Sequence, residues 1–426
     1  MEPSMKTANL TGTKNRFFYG WWIIAAGVLI IAFGTGANGF LARSLYSLLG
    51  SNASKTGIVL GIYYMVMPIS LLAIGPLIDR HGPRKLMLIG ILAAGTAIIG
   101  LSLIPNLRYM FLGILAIGMS AAFFLPVQTA IANWFMNARC MVFAVVCAAS
   151  VLGAPMVNLS TEFFAHQSSL QSTLFGLGVA MLVIGIPLAF VIRHKPEPYG
   201  YAPDGIAQPV SQTLQPVTRK ETHFVEVNYS LRQALKTKAF WLLCIALCLF
   251  TESSVLIEMH RPLYLMEKEF HRSAMTGSSE LASFLGLIWI LSFGFLGDRY
   301  SKRHLLAIAI AVQSLSVFIL MTKGGIAPLL LHLLVYSFGA GTAPLILAIR
   351  ADYFGRKAFA TISAFMGVFN GILSQGFVFL NQGILRPSKN YETAFLLSIL
   401  IGLVAAVTIL FAIPPELPKH KVSDHP

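Results

Sequence analysis

Charge is scarce in this 426-residue chain: Asp, Glu, Lys and Arg make up 11% of it while 56% is hydrophobic, against about 25% charged and 45–50% apolar in an ordinary soluble domain. With a mean hydropathy of +0.72, a water-soluble globule of this size is excluded, and so is a disordered chain. Cysteine is scarce too: four residues cannot make a disulfide scaffold, and two thiols on one helix face, such as Cys244 and Cys248, do not make a metal site. No Walker A phosphate loop occurs, so neither ATP use nor any cofactor is expected. The apolar stretches hold no His, Asp and Glu constellation of hydrolase or metal type, so no enzyme is expected. The charge that remains is net +14. Nucleic acid is not needed to explain it, because basic residues gather at the inner ends of membrane helices.

What the chain has in plenty is long uncharged apolar runs. They fall at 19–40, 57–78, 86–104, 109–132, 141–161 and 170–192, then at 239–251, 281–297, 305–322, 324–349, 358–385 and 393–415. The seventh is expected to continue through Glu252 to about Met259, and the eighth to begin a turn or two before Glu280. Each then crosses a hydrocarbon core of about 30 Å at about 1.5 Å per residue. With the N-terminus inside, the inner segments carry 22 Lys and Arg and the outer segments 9, so both termini are expected to be cytoplasmic. The interval 193–237, with five prolines, reads as a flexible cytoplasmic linker. Its end, Ser230-Leu-Arg-Gln-Ala234, reads as a capped surface helix.

The chain repeats itself. Gly75-Pro-Leu-Ile-Asp79-Arg80-His-Gly-Pro-Arg84 matches Gly294-Phe-Leu-Gly-Asp298-Arg299-Tyr-Ser-Lys302-Arg303. Ala132-Asn133-Trp134-Phe135 matches Ala351-Asp352-Tyr353-Phe354, and Trp22 matches Trp241, all at an offset of 219 residues. The expected fold is therefore all-α: twelve transmembrane helices in two pseudo-symmetric six-helix bundles, 1–192 and 238–426, joined by the 193–237 linker.

On these two Gly-x-x-x-Asp-Arg loops the chain resembles the major facilitator superfamily over nearly its whole length. Phe18-Tyr-Gly-Trp-Trp22, Pro196-Glu-Pro-Tyr-Gly-Tyr-Ala-Pro-Asp-Gly205, Gly339-Ala-Gly-Thr-Ala-Pro344 and Arg350-Ala-Asp-Tyr-Phe-Gly-Arg356 look like its bacterial monocarboxylate-transporter-like group. The resemblance implies a secondary active transporter of the bacterial inner membrane. It would move a small organic solute, a proton-coupled monocarboxylate-type acid first among them, by alternating access, and act as a monomer. An exporter or importer of a neutral or cationic amphipathic compound is the alternative, with a non-transporting sensor or assembly factor behind it. The resemblance also implies that Asp79, Arg80, Arg84, Asp298, Arg299 and Arg303 form the gating loops. Each Asp would dock against a helix N-terminus of the other half, and the arginines can pair with it locally.

Ionisable residues inside spans are candidates for function, and an acid in a dry span can carry a proton. Glu252 in the seventh stretch and His332 in the tenth are the strongest. By resemblance the first, fourth, seventh and tenth helices line the cavity, so both are expected to face it. Asn38 and Gln128 can offer a solute neutral hydrogen bonds, and interhelical contact is an equal reading of both. Glu258, His260 and Arg261 are expected to be solvated near the outer surface. Transporters of the resembled group place an Arg eight residues before the second gating Asp. Here that residue is Ile290, so the inferred cavity has no cation.

Overall fold

A chain with so little charge has to bury backbone polar groups inside its own helices, since lipid offers them no partner. The computed structural model describes residues 18–49, 53–104, 108–167, 169–205, 228–270, 272–322, 325–380 and 391–415. Among them the regular structure is helical. The first half is α1 (Gly20–Leu49), α2 (Ala53–His81), α3 (Pro83–Leu103), α4 (Arg108–Ala122), α5 (Phe124–Trp134), α6 (Arg139–Gln167) and α7 (Leu170–Val191). A short α8 (Leu231–Ala234) leads into α9 (Lys238–Glu267), α10 (Arg272–Arg299), α11 (Lys302–Met321), α12 (Ile326–Tyr336), α13 (Thr342–Phe354), α14 (Phe359–Leu380) and α15 (Tyr391–Leu410). Eleven stretches among the described residues are long and apolar enough to cross a membrane, and Phe359–Ser374 is a shorter apolar twelfth.

The symmetry extends beyond the motifs. Val191 and Leu410, the last residues of α7 and α15, are 219 apart. So are two hydrogen bonds: the Trp134 indole N–H donates to the Arg193 carbonyl, and the Tyr353 hydroxyl donates to the Ala412 carbonyl. The fourth and tenth spans are each broken in mid-membrane, at Phe123 and at the 3-10 turn Ser337–Gly341. Pro126 and Pro344, each third in the helix that follows, are compatible with these breaks. A proline lacks the N–H for the carbonyl four residues back and its ring crowds that carbonyl.

Within each half, small residues let backbones touch, as lipid-embedded helices require. A Cβ on Gly153 of α6 would stand 2.0 Å from the Ala32 carbonyl oxygen of α1. Between the halves the seams are α2 against α14 and α6 against α10. A Cβ on Gly75 would lie 2.7 Å from the Ala364 Cβ, and one on Gly294 would lie 2.4 Å from the Ala144 Cβ. Outward faces are apolar, with Ile89, Val183 and Val407 exposed, the pattern of a surface solvated by lipid.

Two expectations need correction. The interval 193–237 is not a free linker throughout. Residues 193–205 fold against the first half through 3-10 turns at Glu197–Tyr199 and Pro203–Gly205, whereas 206–227 lie outside the described residues. The capped helix after it is present, Ser230 and Gln233 forming a reciprocal capping box. The seventh span runs well past Met259, to Glu267, which carries His260 and Arg261 inside the helix and buries them rather than leaving them solvated.

Candidate functional site

The side carrying the residue 82, 300 and 355 turns is the one the two halves close. Asp79, at the end of α2, accepts hydrogen bonds from the Ala360 and Thr361 backbone N–H groups at 3.1 and 2.8 Å and from the Thr361 hydroxyl at 2.6 Å. These lie in the first turn of α14. Asp298, at the end of α10, accepts from the Cys140 and Met141 N–H groups at 2.9 and 3.0 Å, the first turn of α6. Each carboxylate stands where its own helix dipole disfavours it and the dipole of the other half's helix favours it. The contact is strong only while the halves are together on this side.

The four arginines of the two Gly-x-x-x-Asp-Arg loops do not pair with these acids. Arg84 donates to the Ile192 and Phe190 carbonyls at the end of α7. The Arg299 guanidinium lies 3.9 Å over the Phe295 ring. Arg80 is exposed, and Arg303 stands beside Tyr353. Local ion pairing, one of the expectations, is replaced by docking on backbone N–H groups, because those groups already lie at hydrogen-bond distance and need no long side chain to be ordered.

A second set of contacts surrounds these. Buried Arg139 donates to Asp352 at 2.8 Å across the halves and to the Phe135 and Ala132 carbonyls in its own. Lys302 pairs with the other Asp352 oxygen at 2.9 Å. Arg356 reaches back to the Asn133 carbonyl and to Glu197. The folded segment after α7 is held by Asp204, which accepts from the Met136 and Asn137 N–H groups, and by Arg193, sandwiched between the Tyr19 and Tyr199 rings at 3.7 and 4.1 Å. Phe18 and Tyr201 pack on Trp134. The run Phe18–Trp22 and the run Pro196–Gly205, far apart in sequence, thus meet around one tryptophan. Nearby, burial and the Lys195 charge hold the His194 imidazole below its ordinary value.

Inside the span the expected polar residues are placed differently from one another. Asn38 is half-buried and accepts a 2.9 Å hydrogen bond from the Tyr63 hydroxyl of α2, a partner the sequence did not indicate. Gln128 is half-buried, one turn beyond exposed Phe124. Glu252 is 1% exposed. Its Oε1 is buried without a hydrogen-bond partner, and Ser374 of α14 faces its carboxyl. It is therefore enclosed beside α14 with almost no open surface. His332 is fully buried and turned to α11: its Nδ1 donates to the Ser316 carbonyl at 2.9 Å, leaving Nε2 buried and unpartnered. Among the described residues no hydrogen bond joins any two of these four. Ile290 is 3% exposed and packs with Ala144 and Ala148 of α6, so the position where the resembled group carries its cation is here part of an apolar seam. Of the other polar positions, the side chains of Asn158, Glu162 and Gln375, and residue Asn381, lie outside the described residues.

The structure also builds a cluster the sequence reading placed in solvent. Arg261 has no exposed surface. Its Nη2 donates to Glu258 at 2.9 Å and to the Ser279 hydroxyl of α10 at 2.8 Å, and its guanidinium faces the Tyr336 ring at 5.1 Å. The signal available in sequence was the i, i+3 spacing of Glu258 and Arg261; what hid it was the expected helix end at Met259. Glu258→Gln should lower stability by about 1.5–3 kcal/mol, the worth of a hydrogen bond to a charged group, since Arg261 then stays buried without a counter-charge. The double variant Glu258→Gln/Arg261→Met should regain most of it. Thermal unfolding in detergent measures both.

Paired broken helices, seams of small residues and reciprocal clasps between two like halves make this a multi-pass membrane protein. Residues 24–378 match the Major Facilitator Superfamily, and the chain belongs to that family of transporters. Solved structures agree in fold. A single-residue variant of the E. coli fucose:proton symporter FucP aligns at TM-score 0.69 and 14% identity, over 93% of this chain and 100% of that one. A bacterial homologue of the iron transporter ferroportin, outward-facing with soaked iron, aligns at 0.70 and 14%, over 92% and 98%. No curated protein matches in sequence.

Proposed function

We propose that the protein is a proton-coupled secondary transporter of a small organic acid, working by alternating access in a bacterial inner membrane with both termini and residues 193–237 cytoplasmic. The observation that carries the alternating-access reading is the reciprocal clasp: Asp79 on the N-terminus of α14 and Asp298 on that of α6. Two halves held at one end by contacts that vanish on separation can rock about a midplane site. With the Lys and Arg bias placing this end in the cytoplasm, the described state is closed to the inside. The sequence runs around Trp134 and Asp352 favour organic acids as the cargo. The apolar Ile290 seam favours the second reading, a neutral or cationic amphipathic solute, because an anion in a dry cavity needs a counter-charge.

Uptake into proteoliposomes separates these readings. An inward proton gradient should drive accumulation of a radiolabelled monocarboxylate and not of its amide. Accumulation of the amide alone would establish the second reading, and no uptake of either would favour a sensor on the same fold. For topology, a cysteine placed at 210–220 should react with an impermeant thiol reagent only in inside-out vesicles. Labelling in intact cells would reverse the orientation.

A further inference from the structure

Every long cationic side chain held within the apolar slab should have a counter-charge, because an unpaired one is costly there. Arg139 has Asp352 and Arg261 has Glu258. Among the described residues no ion pair reaches the Arg350 guanidinium. Arg350 belongs to α13, four residues before Phe354 and so about 6 Å along the axis from the helix end, inside the apolar stretch Ile326–Phe354. Its side chain is half-buried, and its Nε is buried without a hydrogen-bond partner. The Cys244 thiol of α9 lies close to it. Asp352, two residues further on, is taken by Arg139 and Lys302.

The fold does not need a cation at this place. The counterpart 219 residues earlier is Ile131, with no exposed surface. Where charge has no task, an aliphatic side chain fills the position. Cys244, Cys248 and Glu252 follow one another at four-residue steps on α9, so Arg350 and Glu252 adjoin the same helix face about 12 Å apart along its axis.

We propose that Arg350 is the fixed positive charge that binds the transported organic anion at the charged-loop end of its path. It supplies from α13 the counter-charge that the Ile290 seam cannot. The assignment rests on the organic-acid reading of the cargo. A guanidinium stays charged at any working pH, and its planar fork fits a carboxylate with two parallel hydrogen bonds. An uncharged amide offers one acceptor oxygen and no charge, so it is rejected.

The test uses the full chain in lipid nanodiscs with acetate, lactate, pyruvate and benzoate, each beside its amide, and reads thermal shift and binding. Wild type should bind at least one acid and not its amide. Arg350→Gln should weaken that binding about tenfold or more, the effect of losing a charged hydrogen-bond donor, and Arg350→Lys should fall between. Ligand-free Arg350→Gln should melt no lower than wild type, because it removes an unpaired charge; a structural arginine would give the opposite. Acid binding unchanged in Arg350→Gln overturns the assignment and leaves the organic-acid reading standing. Wild type that binds the amides equally, or binds none of the acids, overturns both. If exchanging phosphatidylglycerol for phosphatidylcholine removes the difference between wild type and Arg350→Gln, the anion held is a net-anionic lipid headgroup and the assignment falls.

Discussion

Asp79→Asn together with Asp298→Asn should open the charged-loop side in the resting protein without preventing membrane insertion. Asp79 collects three donors and Asp298 two, all but the Thr361 hydroxyl being N–H groups at a helix N-terminus. Asparagine keeps one acceptor oxygen, loses the charge that the helix dipole favours, and turns an NH2 towards backbone donors. Hydrogen bonds to charged groups are worth about 1.5–3 kcal/mol each, so a loss of about 2–3 kcal/mol at each clasp is a conservative expectation. The clasps lie on different seams, α2 with α14 and α6 with α10, and share no partner, so the losses add. Together they amount to roughly a thousandfold in the open-to-closed ratio, at about 1.4 kcal/mol per tenfold. Spin labels at exposed His81 and Lys357, one on each half, read the distance directly, after the four native cysteines are replaced by alanine. It should lengthen and broaden in the double variant, with turnover slowed. An unchanged distance distribution at normal turnover would reduce both acids to surface charges.

Glu252→Gln should abolish proton-driven accumulation while leaving solute exchange in place. The carboxyl is buried beside α14, one oxygen has no hydrogen-bond partner, and Ser374 faces it. Glutamine has the same shape, so packing and folded yield are preserved, but it cannot load a proton on one side of the membrane and release it on the other. Exchange needs no net proton release and continues. The pH dependence of accumulation should vanish with the driving force. A structural glutamate would behave otherwise: yield, exchange and accumulation would fall together. Wild-type pH dependence in the glutamine variant, at equal expression, would end the coupling role. His332 is a poor heir to it, since its Nδ1 is committed to the Ser316 carbonyl and the ring faces α11.

Some of this site was legible in the residues alone. The 219-residue offset joined Asp79 to Asp298 and Trp134 to Tyr353, and the structure extends it to broken helices and a matched pair of hydrogen bonds. The docking of each acid on the opposite half followed from the family resemblance. The partners of the arginines did not follow, because a flexible side chain at a helix end has many reachable carbonyls and rings. Arg261 was misplaced for a related reason. Three ionisable residues within four positions read as a solvated helix end, whereas α9 continues through them by pairing Glu258 with Arg261 and setting Ser279 and Tyr336 against the guanidinium.

The sequence by itself determined that this chain lives in lipid, how often it crosses, and that it is built from two like halves. Hydropathy, charge placement and internal repetition are properties summed along the chain, and the cost of exposing backbone to hydrocarbon leaves the helix as the available answer. Only the tertiary structure decided which charges meet. It folded residues 193–205 beneath the first half, put Ile290 into an apolar seam and His332 against α11, and left Arg350 without a carboxylate among the described residues. Those outcomes depend on the rotation of each helix about its axis. Packing of small residues such as Gly75 against Ala364 and Gly294 against Ala144 fixes that rotation, and the linear order of the residues does not contain it.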